Sequence, residues 1–297
     1  MIKKLRSRFI LFNVLVIACV LIILAFFIFL GSKNTPSASR FVPVLGISLL
    51  LVFVASYMIS KFALKPVKHA WQRQLDFTAD ASHELRTPLA VIKTNLEIVM
   101  DSPDETVKSQ MKWLQNIEAE HTRMTKLVED LLTLSRADTE EESLFQTTFL
   151  FDETVQNALN TFGPVCTQKE IVLSRKIEPG IAFCGDEKRI LQLIVILLDN
   201  AVQYTQSQGS IAVELHRKGN EINLTVQDTG AGISKEDMTK IFERFYRANH
   251  TRQQNPDGSG LGLSIAKWIV DQHSGKITVK SELRKGTLFS VVFEQHT

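Results

Sequence analysis

The chain has 297 residues, and its formal net charge of +2 is too close to zero to indicate a nucleic-acid partner. This length is enough for about two globular domains, each able to bury its own core. Cys19, Cys166 and Cys184 have neither the even number nor the spacing of a disulfide framework or a zinc site, which favours a reducing compartment for the soluble part.

Two long apolar segments occupy the N-terminal part of the sequence. Residues 9–30 contain only Asn13 as a strongly polar interruption, and residues 41–60 contain no charge. As helices rising ~1.5 Å per residue, both could cross a hydrocarbon core about 30 Å thick. We therefore predict a membrane hairpin over residues 1–60, with two transmembrane helices. A cleaved signal peptide is the alternative for the first segment, although that segment is longer than a typical ~7–15-residue signal core.

Basic residues predict the orientation of this hairpin. The ten-residue loop GSKNTPSASR between the spans has two basic residues, whereas four precede the first span and four follow the second. The excess of positive charge on the cytoplasmic side predicts a protein of the cell membrane with both termini in the cytoplasm. Because the external loop is too short for a ligand-binding domain, we expect the stimulus to arrive within the membrane or through a membrane protein partner.

A predicted linker (61–71) leads into a helix that contains FTADASHELRTPLAVI (77–92). At about 100° per residue, Glu84 lies to one side of His83, and Thr87 lies within about 40° of it. This geometry exposes His83 to solvent and makes Pro88 a predicted hinge beside it. The apolar stripe opposite His83 consists of Ala81, Leu85, Leu89, Ile92, Leu96 and Val99.

A second helix is predicted after the turn DSPD (101–104). Its apolar residues recur at spacings of three and four, and His121 falls on this stripe as a structural residue. Two antiparallel helices cannot enclose a core alone. Residues 72–138 are therefore predicted to form a dimerisation domain, in which two copies of the hairpin make a four-helix bundle.

An exposed imidazole beside a carboxylate is a competent nucleophile, because the carboxylate can orient the ring and take up its proton. The segment HELRTPL resembles the phosphoacceptor box of the two-component sensor histidine kinases. The resemblance implies that His83 accepts the γ-phosphate of ATP and that Glu84 acts as acid and base. It also implies that Thr87 positions a water for dephosphorylating a partner response regulator.

Residues 144–297 have a mixed pattern that predicts an α+β sandwich, with helices on a mainly antiparallel sheet. Two glycine-bearing stretches, DTGAGIS (228–234) and DGSGLGLS (257–264), interrupt it. The chain has no P-loop motif, and the polar segment before Gly258 does not fit a Rossmann fingerprint. The predicted strands are 171–177, 210–217, 221–228, 276–283 and 287–294, and the predicted helices are 152–167, 187–204 and 260–273.

Four segments in order, LLDNAVQYT, DTGAGI, IFERFYR and GSGLGL, resemble the boxes of the ATP-binding domain shared by sensor kinases, gyrase B, Hsp90-type chaperones and mismatch-repair ATPases. The resemblance implies that Asn200 binds Mg²⁺, that Asp228 reads the adenine amino group, and that Arg247 reaches the γ-phosphate. The polar segment 249–257 fits a mobile lid. The other positions implied to bind the nucleotide are Tyr204, Gly230, Gly232, Gly258, Gly260, Leu261 and Gly262.

The segments depart from the family pattern at two positions. Ile196 replaces a second asparagine, and Gln203 replaces a lysine that many kinases carry three residues after the metal-binding asparagine. We expect a membrane sensor histidine kinase that phosphorylates itself on His83, transfers the group to a response regulator and dephosphorylates that regulator. A non-catalytic scaffold is the alternative that these two departures support. An ATP-driven clamp is a third, but it has no use for His83 and Glu84.

Overall fold

The computed structural model of the chain describes residues 15, 17–19, 21–22, 26, 38–137, 145–248 and 258–294. Most of the first predicted span, most of the external loop and the predicted lid at 249–257 therefore lie outside the described residues. The chain divides into two compact units, Met1–Ala79 and Asp80–Thr297.

Helix α1 (Ala38–Met100) is continuous over 63 residues. It includes the second predicted span, the predicted linker and the whole segment 77–92, and it continues through Pro88 without interruption. A search of the described residues finds no helix whose length and apolar character would let it cross a membrane.

In the second unit, the end of α1 forms a hairpin with α2 (Val107–Ala137). Gln110 ties the connecting turn, because its Nε2 donates to the carbonyl oxygens of Val99 (3.2 Å) and Ser102 (2.7 Å). Further along the hairpin, Asn116 Nδ2 donates to Asn95 Oδ1 at 3.2 Å. These bonds fix the register of the two helices near the turn.

The predicted apolar stripe of α1 is divided between two environments. Leu85, Ile92 and Val99 are half-buried, whereas Leu89 and Leu96 are 57% and 46% exposed. A single copy of the chain therefore leaves part of the stripe uncovered, in agreement with the expectation that one hairpin cannot enclose a core alone. The physical reason is that α2 can cover only one side of a stripe this wide.

The predicted α+β fold is confirmed for the rest of the chain. A five-stranded sheet has the order β2-β4-β5-β7-β6, and only β2 and β4 pair in parallel. Two short strands escaped prediction, and they pair with each other as a separate two-stranded sheet. In chain order, the elements are β1 (Thr147–Leu150), α3 (Phe151–Gln168), β2 (Val172–Ile177), β3 (Ala182–Gly185), α4 (Glu187–Tyr204), β4 (Ser210–Lys218), β5 (Glu221–Asp228), α5 (Gly262–Gln272), β6 (Lys276–Glu282) and β7 (Gly286–Glu294).

The three helices α3, α4 and α5 share one apolar core with the sheet. Strands β4, β5 and β7 alternate buried and more exposed side chains, as expected for a sheet with one packed face. Full burial of a leucine or isoleucine stabilises the fold by about 1.5–3 kcal/mol. The core therefore fixes the positions of the last turn of α4 and of the end of β5. Both of these segments border the candidate site. Fully buried core residues include Ile190, Leu193, Ile194, Val213, Leu224, Ile265 and Val291.

Candidate active site

A cavity of about 350 Å³ lies where the last turn of α4, the end of β5 and the start of α5 meet, and α2 closes one side. The structure brings together most of the positions that the sequence predicts for nucleotide binding. Gly230 and Leu261 are the exceptions, since neither belongs to the described lining. The predicted residues that do line the cavity are Asn200, Tyr204, Asp228, Gly232, Arg247, Gly258, Gly260 and Gly262.

Asp228 is the last residue of β5 and is only 6% exposed. Its Oδ1 accepts hydrogen bonds from the backbone N–H groups of Gly230 (2.8 Å) and Thr287 (3.2 Å). Burial raises the pKa of this carboxyl group, and the two hydrogen bonds partly offset that rise. Both bonds use Oδ1, so Oδ2 can accept a hydrogen from a ligand amino group. Gly230 thus holds Asp228 in place from outside the cavity lining.

Asn200 lies one turn before the end of α4. Its side-chain Nδ2 donates to the carbonyl oxygen of Ile196 at 2.8 Å, which leaves Oδ1 as the atom that can coordinate a cation. Within the part of the chain that the structure describes, no group of three or more His, Cys, Asp or Glu side chains could hold a metal ion. A single protein oxygen suits Mg²⁺, because this ion keeps several waters and takes its other ligands from substrate phosphates.

Two irregular backbone segments meet beside this cavity. Gly260 has φ +72°, and a Cβ there would lie 2.8 Å from the carbonyl carbon of Phe245 and 2.9 Å from the oxygen of Tyr246. Phe245 itself has φ +60°, a strained conformation for an aromatic residue. Leu261 is fully buried and anchors the loop in the core. Helix α5 begins at Gly262, so its N-terminal amides border the cavity and favour an anionic ligand.

Apolar side chains complete the opposite wall of the cavity. They can contact a flat ring, while Asp228 supplies the polar contact that orients it. Phe242 and Phe245 lie partly buried against the core. The apolar residues of the wall are Ile196, Ile233, Ile241, Leu263 and Phe289.

His83 faces a second cavity of about 440 Å³. This cavity also contains Asp80 from α1 and a stretch of residues between Asp237 and Arg247. It shares Glu84, Tyr246 and Arg247 with the first cavity. The imidazole is therefore separated from the first cavity by a wall of three side chains.

A hydrogen-bond chain fixes part of this wall. The hydroxyl of Tyr246 donates to Asp237 Oδ1 at 2.6 Å, and Ser234 Oγ donates to Asp237 Oδ2 at 2.7 Å. Thr87 is exposed one turn beyond His83 on α1, outside both cavity linings as far as the structure describes them. Its predicted role therefore concerns solvent or a partner that approaches this face.

Helix α2 contributes residues that sequence reasoning missed. Arg123, Lys126 and Asp130 line the first cavity at spacings of three and four, and Lys126 Nζ lies 3.4 Å from Asp199 Oδ2. Burial raises the pKa of Asp130 to about 6, while the charge of Lys126 acts in the opposite direction. Charged residues at helical spacing are typical of a solvated face, so the sequence alone held no signal that this face borders a cavity.

Comparison with protein families finds a matching family for the helical hairpin and another for most of the α+β domain. Residues 73–140 match the His Kinase A (phospho-acceptor) domain. Residues 185–297 match the histidine kinase-, DNA gyrase B-, and HSP90-like ATPase domain. His83 lies in the first match, and the glycine-bearing stretches lie in the second.

Individual proteins extend this similarity. The sensor histidine kinase RppB of Synechocystis is 35% identical over 246 residues, which are 82% of this chain and 54% of RppB. The chain thus spans about half the length of the curated relatives it matches. The Acinetobacter baumannii histidine kinase AdeS superposes with a TM-score of 0.59 at 25% identity, over 72% of this chain and 98% of that one. The histidine kinase ThkA, solved with the response regulator TrrA, shares the fold with a TM-score of 0.62 at 22% identity, over 80% of this chain and 66% of that one.

Proposed function

Because the chain belongs to the two-component sensor histidine kinases, we propose that it transfers the γ-phosphoryl group of ATP to His83 and from there to an aspartate of a cognate response regulator. The observation that carries this proposal is the shared wall of the two cavities. Glu84, Tyr246 and Arg247 border both the predicted nucleophile and the predicted nucleotide site.

His83 and Glu84 supply the groups that attack the phosphoryl group. A ring nitrogen of His83 forms the new N–P bond as the bond between the γ-phosphorus and its bridging oxygen breaks, and ADP leaves. Glu84, the next residue, is half-buried at the junction of the cavities and takes the proton that the imidazole loses. Phosphoryl transfer depends mainly on positioning and charge, so a neighbouring carboxylate that orients the ring is sufficient.

The residues of the first cavity bind and orient the nucleotide. Asp228 accepts a hydrogen from the adenine amino group, and the apolar wall contacts the ring. Asn200 Oδ1 holds Mg²⁺, which neutralises phosphate charge when bound. Arg247, at the wall between the cavities, reaches the γ-phosphate, and the glycine loop with the start of α5 contacts the other phosphates.

Homodimerisation follows from the apolar surface of the hairpin. One copy leaves a set of large apolar side chains on α1 and α2 exposed, which a second copy would bury in a four-helix bundle. The response regulator would then approach the face of α1 that carries His83 and Thr87, and Thr87 would position the water for its dephosphorylation. The exposed apolar residues are Leu89, Leu96, Met100, Val107, Met111, Val128 and Leu132.

We also propose that residues 1–60 place the protein in the cell membrane through two spans. The length of the two apolar segments and the basic residues at their outer ends support this location. A membrane protein partner would then supply the stimulus.

Autophosphorylation of the full chain tests the kinase proposal. The chain, in detergent, is incubated with γ-labelled ATP and Mg²⁺, and we expect an acid-labile, alkali-stable label on the protein. His83→Gln should abolish the label, whereas the control His216→Gln, a substitution of an exposed histidine on β4, should retain it. Label that survives His83→Gln would refute the acceptor, and an unlabelled wild type would favour a scaffold.

The phosphatase role of Thr87 needs a separate measurement. Thr87→Ala should keep autophosphorylation and slow the loss of phosphate from the phosphorylated regulator, because the hydroxyl that orients the attacking water is gone. Unchanged regulator dephosphorylation would show that Thr87 has no such role.

A further inference from the structure

The nucleotide cavity lacks a cation at one expected position. In the family pattern that the four boxes resemble, many kinases carry a lysine three residues after the asparagine implied to bind Mg²⁺, and this chain has Gln203 there. Gln203 does line the cavity, but its amide carries no charge. Phosphate binding relies on charge stabilisation, so the missing ammonium group needs a replacement if the proposed function holds.

Lys126 lies close to Gln203, although Lys126 belongs to the helical hairpin and Gln203 belongs to the ATP-binding domain. Its Nζ is 3.4 Å from Asp199 Oδ2. Asp199 and Gln203 are four residues apart on α4, so their side chains are neighbours on one helix face, with Cβ atoms about 5–6 Å apart. All three residues line the same cavity. The ammonium group of Lys126 thus contacts a residue one helical turn from Gln203.

The ion pair with Asp199 does not immobilise Lys126. The side chains of Lys126 and Asp199 are 69% and 55% exposed, and ion pairs exposed to this degree contribute little stability. The flexible stem of a lysine can therefore turn its ammonium group from a carboxylate to a phosphate. Arg123, the other basic residue of α2 in the described cavity lining, already lies 3.7 Å from Glu120.

We propose that Lys126 of the phosphoacceptor hairpin supplies the phosphate-facing cation that Gln203 does not. This inference rests on the proposed function and deepens it. A lysine of the ATP-binding domain would bind phosphate wherever the hairpin lies. Lys126 does so only while α2 borders the cavity, so nucleotide affinity becomes linked to the position of the hairpin. By reciprocity, bound nucleotide favours the arrangement in which α2 closes the cavity.

Equilibrium binding separates a phosphate contact from a structural role. The full chain is purified in detergent with His83→Gln as background, so that no phosphoryl transfer occurs, and titrated with ATP and with adenosine in the presence of Mg²⁺. We expect the added Lys126→Gln substitution to weaken ATP binding about tenfold and to leave adenosine binding unchanged, because only ATP carries phosphates. Lys126→Arg should keep most of the ATP affinity.

Two further variants sharpen this comparison. Combining Lys126→Gln with Gln203→Lys should restore ATP affinity, since the ammonium group returns to the same part of the cavity from α4. Lys108→Gln removes an exposed lysine of α2 that lies outside the described cavity lining, and it should change neither affinity.

Three results would overturn the inference. Unchanged ATP affinity in Lys126→Gln would show that Lys126 does not face the phosphates. Equal losses for ATP and adenosine would show that it acts only by holding the hairpin in place. If the background chain itself bound no ATP, the proposed function would fail as well, and that result is distinct from the other two.

Discussion

Burial disfavours the charged form of Asp130 and raises the pKa of this carboxyl group from an ordinary 3.8 to about 6. The folded state therefore holds this proton more tightly than the unfolded state. The neutral carboxyl group of Asp130 makes its full contribution to the free energy of unfolding below about pH 4. That contribution is lost as the pH rises through about 6.

Asp130→Asn should consequently stabilise the protein at pH 8 and have little effect near pH 4. We expect a gain on the order of 1 kcal/mol in the free energy of unfolding at pH 8, since partial exposure screens the charge. Denaturant unfolding at the two pH values measures this difference. Glu118→Gln, a change at an exposed acid on the same helix, is the control. An equal effect of Asp130→Asn at both pH values would contradict the assignment.

Asp228 supports a prediction about ligand recognition. In Asp228→Asn, the side-chain oxygen can still accept the bonds from Gly230 and Thr287, but the amide NH₂ replaces Oδ2, the oxygen proposed to accept from the adenine amino group. We expect at least about a tenfold loss of affinity for both ATP and adenosine. The reason is that the buried amide NH₂ of the asparagine, a hydrogen-bond donor, would then face the adenine amino group, which is also a donor. Calorimetric titration measures both, and a melting curve serves as the folding control. Retained adenosine binding would exclude Asp228 as the adenine-reading residue.

The hairpin of α1 and α2 carries the surface proposed for dimerisation. Leu89 and Leu96 lie one above the other on α1 and are exposed in the single chain. Because each leucine is already about half-buried in the single chain, burial of the remainder would contribute on the order of 1 kcal/mol per leucine to association. Their exposure supports the proposal that another hairpin covers this face.

Leu89→Glu together with Leu96→Glu should convert the dimer to a monomer, because the bundle core cannot accept unpaired carboxylates. Light scattering coupled to size-exclusion chromatography measures the change in mass. Ala90→Glu adds the same charge on the side of α1 that carries His83 and should leave the dimer intact. A dimer that persists in the double variant would mean that a different surface holds the two copies together.

For the whole molecule, the proposed membrane hairpin yields a prediction about location. The full chain should sediment with membranes and resist extraction at alkaline pH, because each apolar segment is long enough to span the hydrocarbon core. A chain that lacks residues 1–60 should remain in the supernatant and still bind ATP. Release of the full chain by alkaline extraction would argue for peripheral attachment.

Local spacing explains which elements could be predicted. The strand 221–228 and the helix 187–204 agree with β5 and α4, because alternation and helical periodicity persist over eight or more residues. Strands β1 and β3 have four residues each, too few for a pattern, and their pairing joins segments far apart in the chain. The spacing of the apolar stripe of α1 predicts one face of a helix, but which of its residues are half-buried and which are exposed depends on how much of it α2 can cover.

The sequence by itself determined the types of chemistry and their order along the chain. The nucleophile with its adjacent carboxylate, the asparagine, the aspartate and the glycine loops are all defined by neighbours within a few residues. Only the tertiary structure decided what surrounds them. It placed Tyr246 and Arg247 between the two cavities and brought Lys126 beside Asp199, 73 residues further along the chain. The physical reason is that burial and charge proximity arise when distant elements pack, and no local spacing records which elements those are.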